Sequence, residues 1–223
     1  METIHQYFDL NYVIRSLPDF QIGLIWTLET GAVALVLAFV WGLALVALIM
    51  PRFWWLRGPA RVYIEISRNT PLLLQIFVLY FGLPLIGLVW SAFICGVLAI
   101  AGQHGCYLAD VFRGTIESIS NTQREAAKAL GMSRFSVMRL VILPQAILKV
   151  LPPLGNQVVL LIKDTSLVSA IGVTELTLVG KQLVEQSATT IEVFVVIALI
   201  FLVITTCAGL LMRFIEMHYR VRF

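Results

Sequence analysis

Three short clusters of polar side chains interrupt otherwise apolar sequence: Arg68, Asn69 and Thr70 before Pro71; Gln103, His104, Tyr107 and Asp110; and Lys163, Asp164, Thr165 and Ser166. A charge at the centre of a bilayer costs about 2.5–3.5 kcal/mol on insertion scales, so such residues face a cavity or a partner. Pro71 has no amide donor, which leaves carbonyls near residue 67 without their helical bond. Breaks of this kind are tolerated where they line protein or water. His104, Tyr107 and Asp110 recur every third residue and so share roughly one helical face. Lys163 and Asp164 place opposite charges beside two hydroxyls, a set that complements a zwitterion. The plainer alternative is an ion pair at the outer interface. A lone His inside a span serves as a hydrogen-bonded structural group or as a ligand contact, and both readings stand. His5, His104 and His218 lie far apart along the chain, and no nucleophile–base arrangement converges on them. Neither a metal site nor an enzyme is expected.

The elements that must position these groups are membrane helices. The chain has 223 residues, is 59% hydrophobic and 13% charged, and has a mean hydropathy of +0.91, outside the balance of a soluble domain. Crossing roughly 30 Å of hydrocarbon takes about 20 apolar residues. The expected fold is all-α, a polytopic integral membrane protein of about five transmembrane helices. The spans are placed at residues 22–50, 60–83 with a break at Pro71, 88–112 after a tight Pro84–Gly87 turn, 145–165 with an irregularity at Pro152 and Pro153, and 191–212. Residues 1–21 read as an amphipathic lead-in, anchored by Phe8, Tyr12, Ile14 and Leu17 and not cleaved as a signal. Residues 22–223 form one transmembrane domain carrying a loop at 114–144.

Charge sets the expected orientation. Thirteen of the sixteen Lys and Arg residues, Arg52 and Arg222 among them, follow the first, third and fifth spans. By the positive-inside rule the C-terminus is cytoplasmic, the N-terminus is outside and the 114–144 loop faces the cytoplasm. The net charge of +3 requires no nucleic-acid partner. Cys95, Cys106 and Cys207 fall in apolar segments without ligand spacing and read as packing residues. Glu29 reads as a polar contact with a neighbouring helix. Gly102 and Gly105 offer close helix approach. Five spans alone make a thin bundle, so a dimer is expected.

The loop contains REAAKALGMSRF at 124–135. Glu125, Ala126, Ala127, Lys128, Ala129 and Leu130 are helix formers, with Asn121 and Thr122 as cap candidates. Gly131 can take a positive φ and stop that helix, and Ser133 can cap the next. The product is a short, rigid knob; an ordinary amphipathic connector is the alternative.

EAAKALG followed by ILPQA at 142–146 resembles the EAA loop of ABC importer permeases, which docks into a cleft on the ATP-binding subunit. SRNTPLLLQ, CYLADVFRGTI and IKDTSLVSAIGVTEL resemble, in order, signature segments of the polar amino acid uptake family. Departures are Asp110 where the family usually carries Glu, Cys106 where it carries Ala, and Thr122 where Gly commonly precedes Gln123. The resemblance implies the permease subunit of an ATP-driven polar amino acid importer in the bacterial cytoplasmic (inner) membrane. It further implies two ATP-binding subunits, a second like or unlike permease, and an extracytoplasmic amino-acid-binding protein as partners. On that resemblance the substrate path takes Arg68, Asn69, Thr70, Pro71, Gln103, His104, Tyr107, Lys163, Asp164, Thr165 and Ser166. Coupling falls to Gln123, Glu125, Ala126, Ala127, Leu130, Gly131 and Arg134. No GxxxxGK[ST] occurs, so no cofactor is expected on this chain, and ATP and Mg belong to the partner subunit. Glu125 pairs with a basic group there or is a solvated helix-start Glu. The stretch from Ser169 to Gly180 reads as a short outer gate or a surface loop. A secondary carrier or channel is the competing class; paired inverted halves, common in carriers, are not evident in five spans.

Overall fold

The structure is a computed structural model that describes residues 10–50, 54–187 and 190–220. Phe8, Arg52 and Arg222, used above for anchoring and orientation, lie outside the described residues.

Helix α1 (Leu10–Arg15) leads into α2 (Leu17–Ile49), which Pro18 starts in its first turn, where a missing donor costs nothing. The membrane helix therefore begins at Leu17 rather than 22. The lead-in is also not simply laid on a surface, because the Tyr12 hydroxyl donates to Leu183 O at 2.9 Å. At 33 residues, α2 is apolar all round and carries one stripe of small residues, Gly31, Ala34, Ala38 and Gly42. That stripe is the buried side, because small residues let helix backbones approach where lipid supplies no hydrophobic drive.

Its partner is α5 (Ala92–Glu117), capped by Ser91 Oγ, which accepts from Ile94 N–H. A Cβ on Gly105 would lie 2.7 Å from Trp41 Cδ1 and 3.2 Å from Ala38 O, and one on Gly42 would lie 2.8 Å from Leu108 Cβ. Only glycine fits either place. Gly105→Val or Gly42→Val is expected to force the helices apart and destabilise the domain by about 1–3 kcal/mol or more. The thermal midpoint in detergent should fall by several degrees, whereas Gly58→Ala, with nothing near its Cβ position, should leave it unchanged.

The second predicted span is two helices, α3 (Trp54–Asn69) and α4 (Leu72–Phe77), the latter running on through a wide π turn and a 3-10 turn to Ile86. The two arms meet at 111°. Pro71 causes the break by excluding the α conformation from the residue before it and by removing a donor. Gly87, at φ +83°, ends the second arm.

After α5, α6 (Asn121–Ala129) and α7 (Arg134–Val137) build the loop, and a π turn joins α7 to α8 (Leu143–Asp164). The cap of α6 is Ser120, whose Oγ accepts from Thr122 N–H at 3.2 Å, one residue before the expected Asn121. Pro152 and Pro153 do not interrupt α8, contrary to the irregularity expected there. They remove the donors for two carbonyls one turn earlier, yet the helix runs on through both and packs closely on α10 (Thr190–Arg220): a Cβ on Gly155 would lie 3.0 Å from Met212 Cβ. Beyond Asp164 the chain tightens into a 3-10 segment, Thr165–Ile171, turns at Gly172 (φ +87°) and enters α9 (Leu176–Ser187).

Three cores result. The largest joins α2, α4, α5 and the Thr165–Ile171 turn. A second, around Phe20, Leu176, Leu183 and Ile197, holds α9 between α2 and α10. The third, with Ile119, Ala127, Val137, Ile142 and Ala146, sits under the loop. Outward faces are apolar at Ile25, Val36, Val40, Leu202 and Phe214, as a lipid solvent demands. Among the described residues, four helical runs are long and apolar enough to cross a membrane, or five if the bent pair counts as one span. Cys95 and Cys106 are buried as expected, but Cys207 is exposed and joins none of the cores among the described residues. Glu29 is exposed on α2, and no hydrogen bond or ion pair to it forms among the described residues.

Candidate functional site

All three polar clusters meet about halfway along α5. Arg68, at the end of α3, forms an ion pair with Asp110, to which Arg113 also donates at 3.4 Å. The Arg68 guanidinium stands 5.3 Å over the Tyr107 ring, a cation–π contact that adds to the charge pairing. His104 Nε2 lies 2.9 Å from Asp164 Oδ2, which binds α5 to the end of α8. The segment Lys163–Ser166 therefore lies at mid-height in the bundle, not at an outer interface, and its acid pairs with His104 instead of Lys163. Lys163 is exposed.

The break at Pro71 shows why this region can be polar. Ser67 O and Thr70 O, deprived of helical donors, each accept from Gln75 Nε2 and from Gln103 Nε2, at 2.8 to 3.0 Å. A buried carbonyl left unpaired costs about 1–3 kcal/mol, so two glutamines seal what the proline opened. Asn69 Nδ2 donates to Glu65 O, and Thr70 Oγ1 to Ile66 O. The hydroxyls of Thr165 and Ser166 donate to Ile162 O and Lys163 O, closing the last turn of α8. Of the predicted path residues, Arg68 and Asn69 are exposed at the break, Tyr107 and Asp164 are half-buried, and Gln103, His104 and Thr165 are buried.

Sequence reasoning missed Gln75, although a single amide in LLLQIF four residues beyond a proline is the signal for such a plug. It also missed Glu175. This buried carboxylate caps α9 by accepting from Thr177 N–H and Leu178 N–H, both at 2.9 Å, while Thr27 Oγ1 accepts from Leu176 N–H at 3.1 Å. Burial pushes the Glu175 carboxyl up to about 7, partly offset by those two amides and by Lys181. A carboxyl whose folded value lies above its unfolded one binds its proton more tightly when folded, so it stabilises below the unfolded value, and that stability is lost as pH rises towards about 7. The thermal midpoint should fall between pH 5 and 7.5, and Glu175→Gln should flatten that slope.

The loop at the far end of α5 is tied down from below and bare on top. Arg124 Nη2 donates to Ile116 O at 2.7 Å, and Gln145 Nε2 donates to Gln123 Oε1 at 2.7 Å, which joins the two motifs of the loop. Gly131 takes φ +78°, its N–H donating to Lys128 O and that of Met132 to Ala127 O. Ser133 caps α7, as expected. Ala127 is buried, while Glu125, Ala126, Gly131 and Arg134 are exposed, and Leu130 and Phe135 stand out with 82% and 72% exposure.

Charged groups that gather where one span breaks and another helix ends are an arrangement that membrane transporters use. Residues 38–221 match the family described as the binding-protein-dependent transport system inner membrane component. The octopine transport system permease protein OccM of Rhizobium radiobacter is 37% identical over 204 residues, spanning 87% of this chain and 82% of that protein. The glutamine transport system permease protein GlnP of Escherichia coli is 38% identical over 170 residues, 75% of this chain and 78% of its own. A crystal structure of an amino acid ABC transporter with histidines superposes with a TM-score of 0.91 at 34% identity, covering 94% of this chain and 98% of that one. The chain belongs to the binding-protein-dependent inner membrane components and, among them, to the amino-acid ABC transporter permeases.

Proposed function

We propose that this chain is the transmembrane permease subunit of an ATP-driven importer of a polar amino acid. The observation that carries the reading is the set of Arg68, Asp110, His104 and Asp164, gathered at mid-height around a sealed helix break. A zwitterion needs one cationic and one anionic partner, and Arg68 with Asp164 supplies them. The substrate path comprises Arg68, Asn69, Thr70, Pro71, Gln103, His104, Tyr107, Lys163, Asp164, Thr165 and Ser166. Some act by contact and others, such as Gln103, by sealing the carbonyls of the break.

A second permease pairs with this one, identical or not. Two ATP-binding subunits seat the knob formed by Gln123, Glu125, Ala126, Ala127, Leu130, Gly131 and Arg134, of which Ala127 is buried and braces it from beneath, and use ATP and Mg there. An extracytoplasmic amino-acid-binding protein delivers substrate at the opposite end, where the stretch from Ser169 to Gly180 forms a short outer gate. The N-terminus is outside and the C-terminus cytoplasmic in the bacterial inner membrane, in keeping with the Lys and Arg distribution. Closure of the ATP-binding subunits tilts the spans as rigid bodies.

Purification from the native membrane should bring an ATPase with the chain, and proteoliposomes loaded with ATP should accumulate amino acid. Uptake that follows an ion gradient without internal ATP would instead establish a secondary carrier.

A further inference from the structure

Resting on the transport reading above, we infer that His104 is a positioning residue: its Nε2–H holds one oxygen of Asp164 and presents the other, still anionic, to the substrate's α-ammonium group. His104 is 2% exposed, whereas the Asp164 side chain keeps 38% of its surface open. The imidazole is therefore beneath the carboxylate, not beside the opening.

Its protonation follows from its partners. Nε2 faces Asp164 Oδ2 at 2.9 Å, while Nδ1 is buried with no hydrogen-bond partner among the described residues. An imidazolium would bury an orphan N–H at Nδ1; the neutral ring with its hydrogen on Nε2 buries only an unused lone pair. A neutral donor orients a carboxylate without cancelling its charge. The other acid of the site, Asp110, is already matched by Arg68 and Arg113. Among the three clusters, Asp164 is thus the anion that meets no full cation among the described residues, and a bound ammonium group completes it.

The test is a double-mutant cycle in the complete transporter, reconstituted with its ATP-binding subunit and binding protein and assayed for ATP-driven uptake of each of the twenty amino acids. His104→Asn, too short to reach, and Asp164→Asn should each lower uptake of the best substrate by about tenfold or more. His104→Gln, which restores a donor at the same reach, should recover to within about threefold of wild type. In the Asp164→Asn background His104→Asn should change nothing further, since the histidine acts only through the acid. Rates are compared on complexes that elute as wild type. Additive losses, or Gln no better than Asn, would overturn the inference by giving His104 a separate role. Wild-type transporter that takes up none of the twenty would instead remove the transport reading, and this one with it.

Discussion

Gly131→Pro is expected to abolish coupled uptake while the chain still enters the membrane. Gly131 sits at φ +78°, where proline, fixed near −65°, cannot follow, and its N–H donates to Lys128 O at 2.9 Å, a bond proline cannot make. Both effects fall on the turn that sets α6 against α7, and together they cost about 3 kcal/mol or more locally. That turn fixes how Leu130 and Phe135 protrude relative to Glu125 and Arg134. If these groups seat in the ATP-binding subunit, displacing them by a few ångströms disconnects hydrolysis from transport. Glu125→Lys should act without disturbing the fold, because Glu125 is exposed: reversing one rim charge against a partner costs several kcal/mol where like charges meet. In proteoliposomes, both variants should retain ATP hydrolysis but lose roughly tenfold or more of the uptake it drives. Undiminished uptake in both would remove the docking role from the loop.

The second large effect is structural and falls on the helix break. Replacing Gln75 and Gln103 together by leucine leaves Ser67 O and Thr70 O without their side-chain donors. At about 1–3 kcal/mol for each unpaired buried carbonyl, the loss approaches the 5–15 kcal/mol that holds a typical domain together. The double variant should be recovered from membranes in much lower yield and unfold at clearly lower temperature, with either single variant in between because the remaining glutamine reaches both carbonyls. A double variant as stable as wild type would mean that the break is sealed by something else. This bears on transport as well, since Arg68 is anchored one residue from Ser67, and its pairing with Asp110 depends on how α3 ends.

The two predictions treat parts of the chain that differed in how readily they could be read. The loop was legible because its information is local. Alanines favour helix, a glycine stops it, a serine starts the next, and each acts within four residues. Only the identity of the first cap moved, from Asn121 to Ser120. The break was half legible. Pro71 announced that carbonyls near residue 67 would lack donors, but the glutamines that satisfy them come from 8 and 36 residues away. The tandem prolines at 152 and 153 were misread for the same reason: propensity sees the missing donors and not the close packing of α8 on α10 at Gly155 and Met212, alongside which the helix runs on.

Hydropathy, charge distribution and the short motifs were enough to establish an all-helical membrane domain, its apolar segments, the proline break, the helix–turn–helix loop and the membership of the amino-acid permeases. These properties are sums over neighbouring residues, and lipid enforces them because every buried backbone group must find a partner within its own helix. Tertiary structure decided which charges meet. Arg68 takes Asp110, and Asp164 takes His104 in preference to its sequence neighbour Lys163. It also brought Glu175 to rest under α9. Adjacent residues on a helix point about 100° apart, so a charge finds its partner on whichever helix the packing of small residues such as Gly42 and Gly105 allows to come close.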